Sequence, residues 1–140
     1  MSRSLGIDFG TRRIGLALSD PTGTLASPLP FLENNGAQEV VSRLKELVAT
    51  REIETIVVGL PRNMDGTYGA SAEKVRSFVA QIQPHISAKI LTQDERLTTS
   101  QASRDLAQMG LSQKELRQKV DSSSATLILQ QFLDRTRLTP

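Results

Sequence analysis

The chain has 140 residues, no cysteine, no tryptophan and a formal net charge of +2. That length suits a single domain spanning residues 1–140, able to bury roughly two-thirds of its unfolded surface without staples. Disulfides and thiolate metal sites are excluded. No apolar run approaches the roughly 20 residues of a membrane span, and Met1-Ser2-Arg3-Ser4-Leu5 reaches Asp8 too soon for a signal peptide, so a soluble, cytoplasmic protein is expected. One Tyr and four Phe leave little material for stacking bases. If the partner is nucleic acid, phosphate contacts and shape should dominate.

Leu5–Phe9 and Ile14–Ser19 read as strands joined by Gly10-Thr11-Arg12-Arg13. Asp20-Pro21-Thr22-Gly23 signals a turn, and Thr24–Phe31 a third strand with Pro28 and Pro30 near its end. Three short strands in succession imply an antiparallel meander. Val40, Val41, Leu44, Leu47 and Val48 then follow helical spacing, with Asn34 or Asn35 as the cap. Thr55–Leu60 is almost wholly apolar, as buried parallel strands are. Pro61–Gly69 is a loop. Ala72, Val75, Phe78, Val79 and Ile82 mark the next helix, ended by Pro84. Lys89–Thr92 is a strand running into Gln93-Asp94-Glu95-Arg96. Thr98 and Gln101 form a capping box for a helix through Met109, stopped by Gly110. Leu111–Val120 is polar and reads as a loop. Ala125, Ile128, Leu129 and Phe132 predict a final helix opened by Asp121, with a frayed tail from Asp134. The order predicts an α/β fold: a mixed five-stranded sheet with helices on both faces.

Three acids stand at comparable places. Asp8 closes the first strand, Glu95 the last, and Asp121 opens the last helix. Ligands in α/β sheets gather beyond the carboxyl ends of strands. Asp121 lies four residues before Ala125, so it shares the helix's apolar side. Three carboxylates from distant sequence can therefore converge, and such a cluster suits Mg²⁺ or Mn²⁺. Without a metal they would repel, and one should protonate. Each also has a plainer reading: Asp8 as a turn residue, Glu95 as a surface partner of Arg96, Asp121 as an N-cap before Ser122, Ser123 and Ser124. Asp94 and Glu95 remain exchangeable at this level, one forming the turn and the other the ligand. The site is favoured only when the three acids are taken together.

Around the acids lie Arg12, Arg13 and Arg96, whose planar guanidinium groups suit phosphate, though all three also fit a solvated surface. Gly59-Leu60-Pro61-Arg62-Asn63-Met64-Asp65-Gly66-Thr67 is either an ordinary connection or a phosphate-contacting loop, with Arg62 as its charge and Asn63 as an amide donor. His85 reads as a solvated cap. Neither a nucleophile–histidine dyad nor a Walker A or dinucleotide motif is present.

Four segments stand in order: Gly6-Ile7-Asp8-Phe9-Gly10-Thr11-Arg12-Arg13-Ile14-Gly15, Val58–Thr67, Asp94-Glu95-Arg96-Leu97-Thr98-Thr99 and Asp121-Ser122-Ser123-Ser124-Ala125. With them the chain closely resembles, over nearly its whole length, the YqgF family. These are Holliday-junction-resolvase-like proteins also described as nucleases that process precursor small-subunit ribosomal RNA. The resemblance implies a ribonuclease-H-like fold and a divalent-metal site whose acidic positions match Asp8, Glu95 and Asp121. Related junction resolvases carry a fourth acid shortly after the last one; Ser122, Ser123 and Ser124 stand here.

The expected function is thus a Mg²⁺- or Mn²⁺-dependent nuclease acting on RNA phosphodiester bonds, in maturation of the 5′ end of precursor small-subunit rRNA. Its nucleic-acid partner would be joined by ribosomal or transcription components, and the chain itself would be a monomer or weak homodimer. The alternatives are a Holliday-junction DNA resolvase and a non-catalytic RNA- or transcription-complex-binding module.

Overall fold

The computed structural model describes the backbone of residues 3–95 and 113–138, and the side chains of residues 3–95 and 124–136. Strands β1 (Arg3–Asp8), β2 (Arg13–Ser19) and β3 (Ala26–Glu33) form the meander. Helix α1 (Ala37–Thr50), strand β4 (Ile53–Pro61), helix α2 (Ala70–Ile82), a short 3₁₀ turn (Gln83–His85) and strand β5 (Lys89–Glu95) follow. Helix α3 (Gln113–Leu138) ends the described chain. The sheet has five strands in the order β3-β2-β1-β4-β5. β1 is antiparallel to β2, and β2 to β3, while β1, β4 and β5 run parallel. β3 lies at a sheet edge, where Pro28 and Pro30 lose least by lacking an N–H.

Alternation along the strands divides the core into two layers. Leu5, Ile7, Ile14, Leu16, Ile56 and Val58 point to one face and pack with Val40 and Leu44 of α1 and Val75, Phe78 and Ile82 of α2. The opposite face carries smaller residues. There Ala17 and Val57 meet Ala125, Ile128, Leu129 and Leu133 of α3. Glycines make this approach close. A Cβ on Gly6 would stand 2.8 Å from the Ala125 carbonyl oxygen and 2.8 Å from Leu129 Cβ. A Cβ on Gly59 would meet Ile128 Cδ1 at 2.5 Å. Helix α3 therefore lies almost on the backbone of the two central strands, which is why its buried stripe needs no large partners opposite it.

Three expectations are corrected. The stretch expected as a loop, Leu111–Val120, is helical from Gln113, so Asp121 lies inside α3 and does not cap it. Gln113, Lys114, Glu115, Leu116, Arg117, Gln118 and Lys119 are all good helix formers with no Gly or Pro among them; their polarity is no sign of a loop. The tail expected to fray from Asp134 instead continues the helix to Leu138. Helix α1 is entered through Gly36 (φ 123°), with no side-chain cap. Asn34 serves the neighbouring turn, its amide donating to the Gly10 carbonyl at 2.9 Å. The helix expected over Thr98–Met109 lies outside the described residues.

Candidate active site

Because β1, β4 and β5 are parallel, their carboxyl ends share one rim of the sheet. Asp8 ends β1 and Glu95 ends β5. Between them β4 contributes Gly59, on the same face as Gly6, Val57 and Gln93 by the two-residue period. A side chain on Gly59 would come within 3.1 Å of both Glu95 Cδ and Oε2. The Glu95 carboxyl thus folds back over β4 toward β1, into space that only glycine leaves free. Asp8 lies one position beyond the Ile7–Val58 pair, on this same face.

The electrostatics follow from that placement. Glu95 Oε2 is buried and has no hydrogen-bond partner among the described residues. Burial, and secondly the negative charge of Asp8, push the Glu95 carboxyl up from 4.5 to about 7. A buried carboxylate oxygen without a donor is costly and rare in native proteins. Here it stands beside a second acid at a strand rim.

Asp94 and Glu95, adjacent on β5, face opposite sides of the sheet. Asp94 accepts the Tyr68 hydroxyl at 2.8 Å and faces Arg62 Nη1 at 3.5 Å. Arg62 also donates from Nε to the Gly66 carbonyl at 2.8 Å, and its guanidinium lies 5.5 Å from the Tyr68 ring centre. Asn63 is held within the same loop, its backbone N–H on the Thr67 carbonyl at 2.8 Å and its amide on Thr67 Oγ1 at 3.0 Å. Asn63 is therefore engaged within its own loop, and Arg62 with that loop and with Asp94. Arg13 lies over the Phe31 ring at 5.0 Å, on the meander. Arg12 is exposed on the β1–β2 turn, beside the rim. The Asp121 side chain and all of Arg96 fall outside the described residues. Among the described residues no group of three or more metal-ligating side chains occurs, and two of the expected acids, Asp8 and Glu95, are brought together. His85 is exposed on the 3₁₀ turn.

Two contributors escaped the sequence reading. Gly59, read as part of an apolar strand and as the start of the loop after it, is the seat of the Glu95 carboxyl. Gln93, two residues before Glu95, is 5 % exposed. Its Nε2 donates to the Ile128 carbonyl at 2.9 Å, and its Oε1 accepts from Arg135 at 3.1 Å, tying β5 to α3. An amide between Leu91 and Glu95 on the α3-facing stripe of β5 was the available signal.

An acid pair at the carboxyl rim of a sheet ordered β3-β2-β1-β4-β5, with a helix across its small-residue face, is the arrangement of a ribonuclease-H-like fold. A family model described as RuvX: Holliday junction resolvase matches residues 2–135, and the chain belongs to that family. The expected kinship with the YqgF proteins and the expected nuclease class are both borne out. Among similar proteins, one from Moorella thermoacetica is 44% identical over 133 residues, covering 95% of each chain. One from Clostridium acetobutylicum is 44% identical over 132 residues, covering 94% of this chain and 98% of its own. Both carry the name "Putative pre-16S rRNA nuclease". The fold is shared with Thermus thermophilus RuvC, solved in complex with a Holliday junction substrate (TM-score 0.62, 19% identity, 99% of this chain and 97% of that one). It is also shared with the fowlpox virus resolvase (TM-score 0.58, 8% identity, 96% and 98%).

Proposed function

We propose that this chain is a divalent-metal nuclease that hydrolyses RNA phosphodiester bonds during maturation of precursor small-subunit rRNA, with Asp8, Glu95 and Asp121 as its acidic site. The observation that carries the reading is the Glu95 carboxyl, turned over Gly59 beside Asp8 with a buried oxygen that is unsatisfied among the described residues. Mg²⁺ or Mn²⁺ fits this donor set, because hard cations take carboxylate oxygens and would neutralise the charge that raises the Glu95 carboxyl. Bound there, the metal supplies Lewis-acid stabilisation and an activated water. The chain's own part is to hold Asp8 and Glu95 rigidly at the ends of paired strands, and to carry Asp121 on a helix locked to β5 through Gln93. Arg12, exposed on the adjoining turn, is placed to orient a backbone phosphate. Arg13, Arg62, Asn63 and Arg96 are assigned weaker supporting contacts with the nucleic acid, since the first three are already engaged within the fold. A protein of this kind acts in the cytoplasm; among the described residues no helix is long and apolar enough to cross a membrane.

The names of the relatives favour precursor rRNA as substrate. The description of the family and the substrate bound to Thermus RuvC favour a second reading, cleavage of four-way DNA junctions. Both substrates should be offered side by side with Mg²⁺, Mn²⁺ or chelator. Metal-dependent cleavage of precursor rRNA that disappears in Asp8→Asn, with binding and folding retained, supports the first reading. Cleavage of the junction alone assigns the second. Tight RNA binding with no metal-dependent turnover on either would make the chain a binding module, and undiminished cleavage by Asp8→Asn would refute the acid site.

A further inference from the structure

On the opposite face of the rim from Glu95, a cleft of about 380 Å³ opens between the β1–β2 turn and α2. Its floor includes Phe9, the residue after Asp8, whose ring centre lies 4.6 Å from that of Phe78. Phe78 is buried, whereas Phe9 remains half-buried and faces the cleft. Lys74, Ser77 and Gln81, one stripe along α2, form the wall. None of these three side chains makes a hydrogen bond or ion pair with the described residues. Glu73, an acid on the same rim, is paired with Arg76. The cleft therefore combines an open aromatic surface, an uncommitted ammonium group and two uncommitted polar side chains.

We propose that this cleft seats one unpaired nucleotide of the substrate strand, its base against Phe9 and its phosphate toward Lys74. The proposal rests on the nucleic-acid reading above and adds where the strand goes after leaving the acids. The two sites are separated by a single backbone position, Asp8 to Phe9, and side-chain alternation sends them to opposite faces. A strand whose phosphate lies at Asp8 and Glu95 reaches the cleft by crossing the β1–β2 turn, where Arg12 is exposed. The volume falls at the small end of the range of ligand pockets, roughly 300–1,000 Å³, as one nucleotide requires. Stacking on an aromatic face tolerates any base, so the cleft would favour single-stranded over paired RNA without reading sequence. A chain so poor in aromatic residues would thus place one of its four phenylalanines where a base can reach it.

The test is binding of a fluorescein-labelled single-stranded oligoribonucleotide, followed by anisotropy in chelator so that cleavage does not enter. Ser77→Leu covers Phe9 from an exposed helix position, and Lys74→Glu reverses the local charge. Lys45→Glu makes the same charge change on α1, away from the cleft. Loss of a stacked base predicts weakening of roughly 5- to 100-fold in Ser77→Leu. Lys74→Glu should weaken binding and lower the salt slope by about one, with Lys45→Glu unchanged in both. An abasic oligonucleotide should bind wild type and Ser77→Leu alike. Affinities within about twofold of wild type for both cleft variants, or an equal loss in Lys45→Glu, would overturn the proposal. Because binding is read without turnover, a failed nuclease assay leaves this result interpretable, and a failed cleft leaves the acid site standing.

Discussion

Replacing Glu95 by glutamine should make the metal-free protein more stable while destroying its site. The folded Glu95 carboxyl keeps its proton up to about pH 7, whereas the unfolded chain releases it near 4.5. Between those values the folded state binds more protons, so stability falls as pH rises through the window and is lowest above it. The displacement corresponds to a ceiling of about 3 kcal/mol, at about 1.4 kcal/mol per pH unit. Glu95 keeps some contact with solvent, and screening brings the expected loss to about 1–2 kcal/mol. The variant carries no charge there, so the gap between the two proteins should open from pH 5 upward and level off above 7. Urea denaturation in chelator at pH 5.0, 6.0, 7.0 and 8.5 measures it, with a melting difference of roughly 3–8 °C at the highest pH. Saturating Mg²⁺, binding only the folded form, should raise wild type at high pH and leave the variant unmoved. Parallel stability curves for the two proteins across this range would refute the argument that burial and Asp8 hold the carboxyl up.

Asp8→Asn removes the second cause of that shift but not the first, so the Glu95 carboxyl should titrate lower than in wild type yet above 4.5; carbon-detected NMR titration in chelator reads it, and an unchanged midpoint would deny the two acids their coupling. Gly6→Ala and Gly59→Ala should separate packing from chemistry. At Gly6 the added methyl meets helix backbone and a Cβ, neither able to swing aside, and about 2–3 kcal/mol of stability should be lost. At Gly59 it meets the tip of Ile128 and the Glu95 carboxyl, so about 1 kcal/mol is lost but metal-dependent cleavage falls further than in Gly6→Ala. Equal ratios of activity loss to stability loss in the two variants would show that Gly59 has no special relation to Glu95.

The meander, the parallel strands and α2 were legible because their apolar periods are regular and their ends carry Gly, Pro or Asp. Glu95 and Asp8 were legible as strand-end acids, but their contact was not, because it depends on β4 lying between them with a glycine at one position. Strand order is a long-range property that no local pattern prints. The same limit explains Asp94: its face is decided by pairing of β5 with β4, and only then does it join Tyr68 and Arg62 while Glu95 turns the other way. The start of α3 was misplaced for a different reason. Its first two turns present charged and amide side chains without a continuous apolar stripe, and helix propensity, the stronger signal there, was outweighed by polarity.

The small-residue face of the sheet connects fold to chemistry. A helix lying over large side chains would stand farther from the strands, and a carboxyl at the rim would then meet water. Gly6, Ala17 and Gly59 let α3 settle close instead, so Glu95 loses solvent at the point where it faces Asp8. Gln93 then fixes the helix along its axis, by holding the Ile128 carbonyl two turns beyond Asp121 in the sequence. The cost of this closeness is a Glu95 oxygen unsatisfied among the described residues, and on the reading proposed above a cation would satisfy it without adding a side chain. Stability given up at a site in the free protein and regained on binding would, on that reading, be how this small domain gains affinity for a metal from packing one layer away.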